Sequence, residues 1–138
     1  MQKSRWYSSA EPLANGTITL IGGFQMQFMV DTSGLNSYAH AFMMPSGNTF
    51  IQANVSAMLW NPDTFAENRL PDMPNGVIRV YPASGGIAML PLTPANNYNP
   101  TILFCGGSDM PEYEDCQRIT PEPLDGSSPT SRWHYPRC

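Results

Sequence analysis

Twice in the first fifty residues a tyrosine is followed nine positions later by a glycine that opens a strand-like run. Tyr7 leads to Gly16 through "YSSAEPLANG", and "TITLIGG" follows; Tyr38 leads to Gly47 through "YAHAFMMPSG", and "NTFIQAN" follows. The repeated unit is therefore aromatic, strand, X-Gly turn, strand. Asn15-Gly16 is the strongest short hairpin signal, a two-residue turn with positive φ at both central positions. Pro45-Ser46-Gly47-Asn48 is a second good turn. A third unit opens at Tyr81, in "YPASGGIAML", and returns in "TILFCGG", Thr101 to Gly107, with the long loop "PLTPANNYNP" in place of a tight turn. The three tyrosines stand 31 and 43 residues apart. "VSAMLWNPDT" reads as a strand running into an Asn-Pro-Asp turn. No segment shows sustained helical periodicity, and the ambiguous run "GFQMQFMV" leans to strand.

Repeats of this length suit the four-stranded antiparallel blades of a β-propeller. Gly and Pro make up 25 of the 138 residues, as turn-rich chains require, while short apolar clusters along the whole chain argue against disorder. The expected fold is all-β, a piece of a propeller of roughly two to three antiparallel blades. A propeller usually closes with at least about four. Open blade edges would then invite self-association. Residues 1–116 form the partial propeller in this reading, and 117–138 a Pro/Ser-rich irregular tail without a strand to complete another sheet.

A net charge of −4 and seven scattered Lys and Arg argue against nucleic acid or an anionic membrane as partner. No apolar run approaches the ~20 residues of a membrane helix, and "MQKSRWYSS" carries no apolar signal-peptide core. Three cysteines leave two readings open: Cys105 and Cys116 close a small disulfide loop, or they are separate thiols; Cys138 has no evident partner. No Cys or His spacing fits zinc. Two glycosylation sequons are present, at Asn15 and Asn54.

The stretches "RWYSSAEPLANGTITLIGG", "VYPASGGIAMLPLTPANNYNPTILFCGG" and "DCQRITPEPLDGSSP" resemble the glyoxal oxidases, copper radical oxidases related to galactose oxidase. The resemblance runs from Arg5 to about Pro129. It implies a seven-bladed kelch-type propeller, an extracellular location, copper as cofactor, and small aldehydes and oxygen as substrates, with hydrogen peroxide as a product. In that family two tyrosines and two histidines hold the copper. One of those tyrosines is joined to an upstream cysteine through a thioether and stores an electron hole. Cu(II) cycles by one electron, so a two-electron oxidation needs such a second store beside it; mixed N and O ligation suits this ion.

By resemblance Tyr7 takes the place of the cross-linked tyrosine: catalytic radical ring and copper ligand in a complete parent enzyme. Read from the residues alone, it is a blade-start aromatic packed between sheets, like Tyr38 and Tyr81. The rest of the family set is not matched. Six residues precede Tyr7 and none is cysteine; no Tyr-His dipeptide occurs; His40 reads as a core or rim residue, and His134-Tyr135 has the reverse order. Phe24 and Gln25 stand where galactose oxidase has its stacking tryptophan, which disfavours a galactose substrate. The expectation is a fragment of a copper radical oxidase that binds no copper and is inactive alone. The competing reading is a kelch-type protein-interaction module or a degenerate gene product without catalysis.

Overall fold

The computed structural model describes residues 8–21, 27–32, 38–79, 85–107 and 116–124. The fold is all-β: three antiparallel sheets, consistent with a segment of a β-propeller, with one short helix. The first sheet pairs β1 (Ser9–Pro12) with β2 (Ile18–Ile21). The second holds β3 (His40–Met43), β4 (Thr49–Ala53), β5 (Ser56–Trp60) and β6 (Glu67–Leu70) in chain order. The third holds β7 (Gly85–Met89), β8 (Ile102–Gly106) and β9 (Cys116–Ile119).

The repeat read from the tyrosines survives in the geometry. β3 and β4 begin 31 residues after β1 and β2, the interval that separates Tyr7 from Tyr38. The two hairpin loops share one hydrogen-bond pattern. Leu13 N–H donates to Thr17 at 2.8 Å and Gly16 N–H to Leu13 at 2.9 Å; Met44 N–H donates to Asn48 at 2.8 Å and Gly47 N–H to Met44 at 2.9 Å. Among the turn residues only Gly16 (φ 81°) and Gly47 (φ 87°) have positive φ. This corrects the expected two-residue turn at Asn15-Gly16. Each loop is instead the three-residue type, a turn closed by a glycine bulge. Here glycine is needed because an L side chain at that φ would strain the turn.

Two further expectations change. "GFQMQFMV" contains a single helical turn, α1 (Gln27–Asp31), where a strand was expected. Five residues are too few to show a period or to form a helix unaided, so tertiary contacts must hold it. Phe28 and Met29 are buried, Glu67 Oε2 accepts from Phe28 N–H at 3.0 Å, and Arg69 pairs with Asp31 while lying over the Phe28 ring. After Cys116, where no strand was expected, Gln117-Arg118-Ile119 continue β9 along β8; the strand crosses the boundary drawn at residue 116.

The second sheet is the centre of the molecule. Every residue of β4 is buried, so this strand is covered on both faces. Side chains alternate along a strand, and here each set meets a different neighbour. Phe50, Ala57 and Leu59 pack with Ile102, Phe104 and Ile119 of the third sheet. Ile51, Ala53 and Met58 pack with Ile21 of β2 and Phe28 and Met29 of α1. Neighbouring blades of a propeller bury one another in this face-to-face way.

Candidate functional site

The interface between the second and third sheets is tied by polar contacts at both ends. At the hairpin end Glu122 Oε1 accepts from Ser46 Oγ at 2.8 Å and from Asn48 Nδ2 at 2.7 Å. Asn48 Oδ1 in turn accepts from Asn61 Nδ2 at 3.1 Å, and Asn61 Oδ1 caps the N–H groups of Asp63 and Thr64, both at 2.9 Å. That last contact is the Asn-Pro-Asp turn expected after β5.

The opposite end carries the chemistry-bearing side chains. β3 begins there with His40, and β8 ends there with Gly106. His40 Nε2–H donates to the Arg79 carbonyl at 3.0 Å, and its ring stands edge-on to Phe104 with centroids 6.2 Å apart. The Arg79 side chain is only 1% exposed, and its Nη1 donates to the Gly106 carbonyl at 2.6 Å. Gly106 and Gly107 both take positive φ, 63° and 73°. Thus Arg79 joins the two sheets twice, through its carbonyl to β3 and through its guanidinium to β8.

Burial pushes the His40 imidazole below its ordinary value; desolvation outweighs the hydrogen bond to Arg79, which favours the charged form. The sign of its contribution follows. The unfolded chain takes up a proton on His40 at about pH 6.5, where the folded chain still resists it. Stability from this site is therefore full above about pH 6.5 and falls as pH drops toward the lower folded value. Urea midpoints should fall from pH 7.5 to pH 5, and the fall should be smaller in H40N. An equal fall in both proteins would remove His40 as the cause.

The sequence-derived candidates fall as follows. Tyr7 and Tyr81 lie outside the described residues, as do Phe24, Gln25, His134, Tyr135 and Cys138. Tyr38 is not packed between sheets as expected: it is 47% exposed, with φ 53°. Tyr38 stands two residues before β3 with left-handed backbone, outside the extended alternation of the strand, and the residue is exposed. His40 is half-buried at the sheet interface. Cys105 and Cys116 form a disulfide between directly paired residues of β8 and β9, which settles the choice left open above. Asn15 lies in the exposed β1–β2 loop, and Asn54, with φ 54°, in the turn between β4 and β5. The buried Arg79 and the Glu122 tie were not singled out from the sequence.

Copper needs convergent N and O donors in a tetragonal array. Among the described residues no group of three or more His, Cys, Asp or Glu comes together. The described residues therefore do not fit a copper centre.

Comparison with known proteins decides the family. The glyoxal oxidase N-terminus family matches residues 1–128. The chain belongs to the glyoxal oxidase family. Relatives within it include the putative aldehyde oxidase Art an 7 of Artemisia annua, 29% identical over 90% of this chain and 29% of that protein. The aldehyde oxidase GLOX of Vitis pseudoreticulata is 26% identical over 92% of this chain and 27% of its own length. Aldehyde oxidase GLOX1 of Arabidopsis thaliana is 29% identical over 83% of this chain and 23% of its own length. The chain thus spans less than a third of the length of these relatives. No solved structure matches it. Within the family, the described residues supply the stacked sheets, and the one candidate copper tyrosine, Tyr7, is placed by resemblance alone.

Proposed function

We propose that this chain is a kelch-type propeller segment of an extracellular copper radical oxidase that oxidises small aldehydes and reduces oxygen to hydrogen peroxide, and that the segment does not turn over by itself. Membership of the glyoxal oxidase family carries the first half of this reading. The donor inventory supports the second. The sequence has two histidines and no Tyr-His dipeptide, whereas the resemblance implies a copper set that includes one. The role assigned to the chain is to contribute Tyr7, matched by resemblance, to the copper site of the parent protein.

The test compares two polypeptides in a peroxidase-coupled assay with methylglyoxal and copper. One is this chain; the other is this chain extended by the coding sequence on both sides. The chain alone should release no peroxide above a copper-only control. The extended protein, carrying a cysteine upstream and Tyr-His downstream, should release it continuously. Sustained peroxide from the chain alone would overturn the claim of inactivity. An inactive extended protein with the full ligand set would overturn the oxidase reading.

A further inference from the structure

The two sequons stand in very different surroundings. Asn15-Gly16-Thr17 occupies the tip of the β1–β2 hairpin, where residues 14–18 are all exposed. Asn15 Oδ1 accepts from the Thr17 backbone N–H at 3.0 Å and from the Thr17 hydroxyl at 2.6 Å. Asn15 is exposed, and its Nδ2 donates to no described residue. Asn54-Val55-Ser56 lies in the turn joining β4 to β5, which is half-buried throughout. The Val55 carbonyl accepts from Met73 N–H at 2.6 Å, and Val55 packs against the larger core cluster, so the segment around Met73 covers this turn.

We propose that Asn15 is an N-glycosylation site and that Asn54 is not. The proposal rests on the extracellular reading given above, since the modification is made in the secretory pathway. The donor is an oligosaccharide linked to a lipid through pyrophosphate. A bond forms between Asn15 Nδ2 and the anomeric carbon of the first sugar. The bond from that carbon to the phosphate oxygen breaks, the lipid pyrophosphate leaves with the electron pair, and Nδ2 gives up one proton. Nothing is oxidised or reduced. The Thr17 hydroxyl, bonded to the same side-chain amide, is the group that the third sequon position contributes.

The position has a structural consequence. Ile18 follows the loop at 69% exposure, on a strand whose sole described partner is β1. An exposed strand edge with a bare apolar side chain is a site for unwanted pairing. A bulky hydrophilic group three residues away shields it.

The experiment expresses the full chain behind a secretion leader in a eukaryotic host. Secreted and cell-retained protein are pooled and treated with peptide N-glycosidase in heavy-oxygen water, then mapped by mass spectrometry. Asn15 should be recovered as heavy Asp in most molecules and Asn54 as unmodified Asn. N15Q and T17A should each lose the glycan entirely, and N54Q should match the parent. T17A keeps Asn15 itself, so a shared loss separates sequon use from damage to the loop. Protein that carries no glycan at Asn15 would overturn the site, and a glycan at Asn54 would overturn the selectivity. Because the leader forces entry to the pathway, either result leaves the oxidase reading standing; the peroxide assay tests that reading separately.

Discussion

Truncating Arg79 to alanine should cost more stability than any other single change outside the apolar core, about 3–6 kcal/mol. Two losses add. Removing a large buried side chain leaves a cavity, and such truncations cost about 2–5 kcal/mol. The half-buried Gly106 carbonyl also loses its 2.6 Å donor, and a lost hydrogen bond of this kind costs about 1 kcal/mol. R79M separates the terms. Methionine fills most of the volume but donates nothing, so it should cost about 1–2 kcal/mol. The measurement is the urea midpoint of the parent, R79M and R79A, read by tryptophan fluorescence. Equal midpoints for R79A and the parent would show that Arg79 does not join the sheets. Hydrogen exchange adds a local check: amides of β8 near Gly106 should lose protection in R79A before those of β5 do.

Loss of the Cys105–Cys116 disulfide should be the next largest effect. The two cysteines are separated by 11 residues. Closing a loop of about that length restrains the unfolded chain by ~3 kcal/mol in the loop-entropy account. β9 is also an edge strand in the described sheet, paired only to β8, so the bridge fixes the strand that contributes Ile119 to the core. The double variant C105S/C116S should lower the urea midpoint by an amount that corresponds to about 3 kcal/mol. Reductant should lower the parent to the same midpoint and leave the variant unchanged. A parent insensitive to reductant would contradict the stabilising role.

The parts of the fold that were legible in the sequence are those fixed by local chemistry. Gly16 and Gly47 mark loops that only a positive-φ residue closes easily, and the strands on either side follow by alternation. The long loop after β7 was legible for the same reason: Pro94, Asn96 and Asn97 build a capped turn, and Asn97 and Tyr98 take positive φ. The family was legible because the run from Tyr81 to Gly107 has an unusual composition. What was hidden depends on tertiary contact. α1 is five residues long and owes its shape to Glu67 and Arg69, which are distant in the chain. β9 has one apolar side chain, Ile119; its other inward residue is Gln117, so the alternation reads as polar. The turn type at Asn15-Gly16 was missed because Asn-Gly fits two hairpin geometries and the register of β1 on β2 chooses between them.

The candidate site shows the same division. His40, expected at the core or rim, is half-buried at the interface of the second and third sheets, where it donates to the Arg79 carbonyl. Arg79 was read only as one of seven scattered basic residues. An arginine in an apolar run ordinarily turns its charge to water. Here both neighbouring sheets close over it, and nothing local in "VIRV" signals that. Tyr38 and Tyr7 stand at equivalent places in the repeat, yet the exposure of Tyr38 shows that the repeat does not assign a packing role to the aromatic. The role of Tyr7 therefore rests on the family alone.

The most direct test of the account is a copper titration of the purified chain, followed by electron paramagnetic resonance after washing with a chelator. The account predicts that no cupric signal survives the wash, because the sequence has no Tyr-His dipeptide and no three His, Cys, Asp or Glu side chains converge among the described residues. A stoichiometric, mononuclear cupric spectrum that persists through the wash would contradict it.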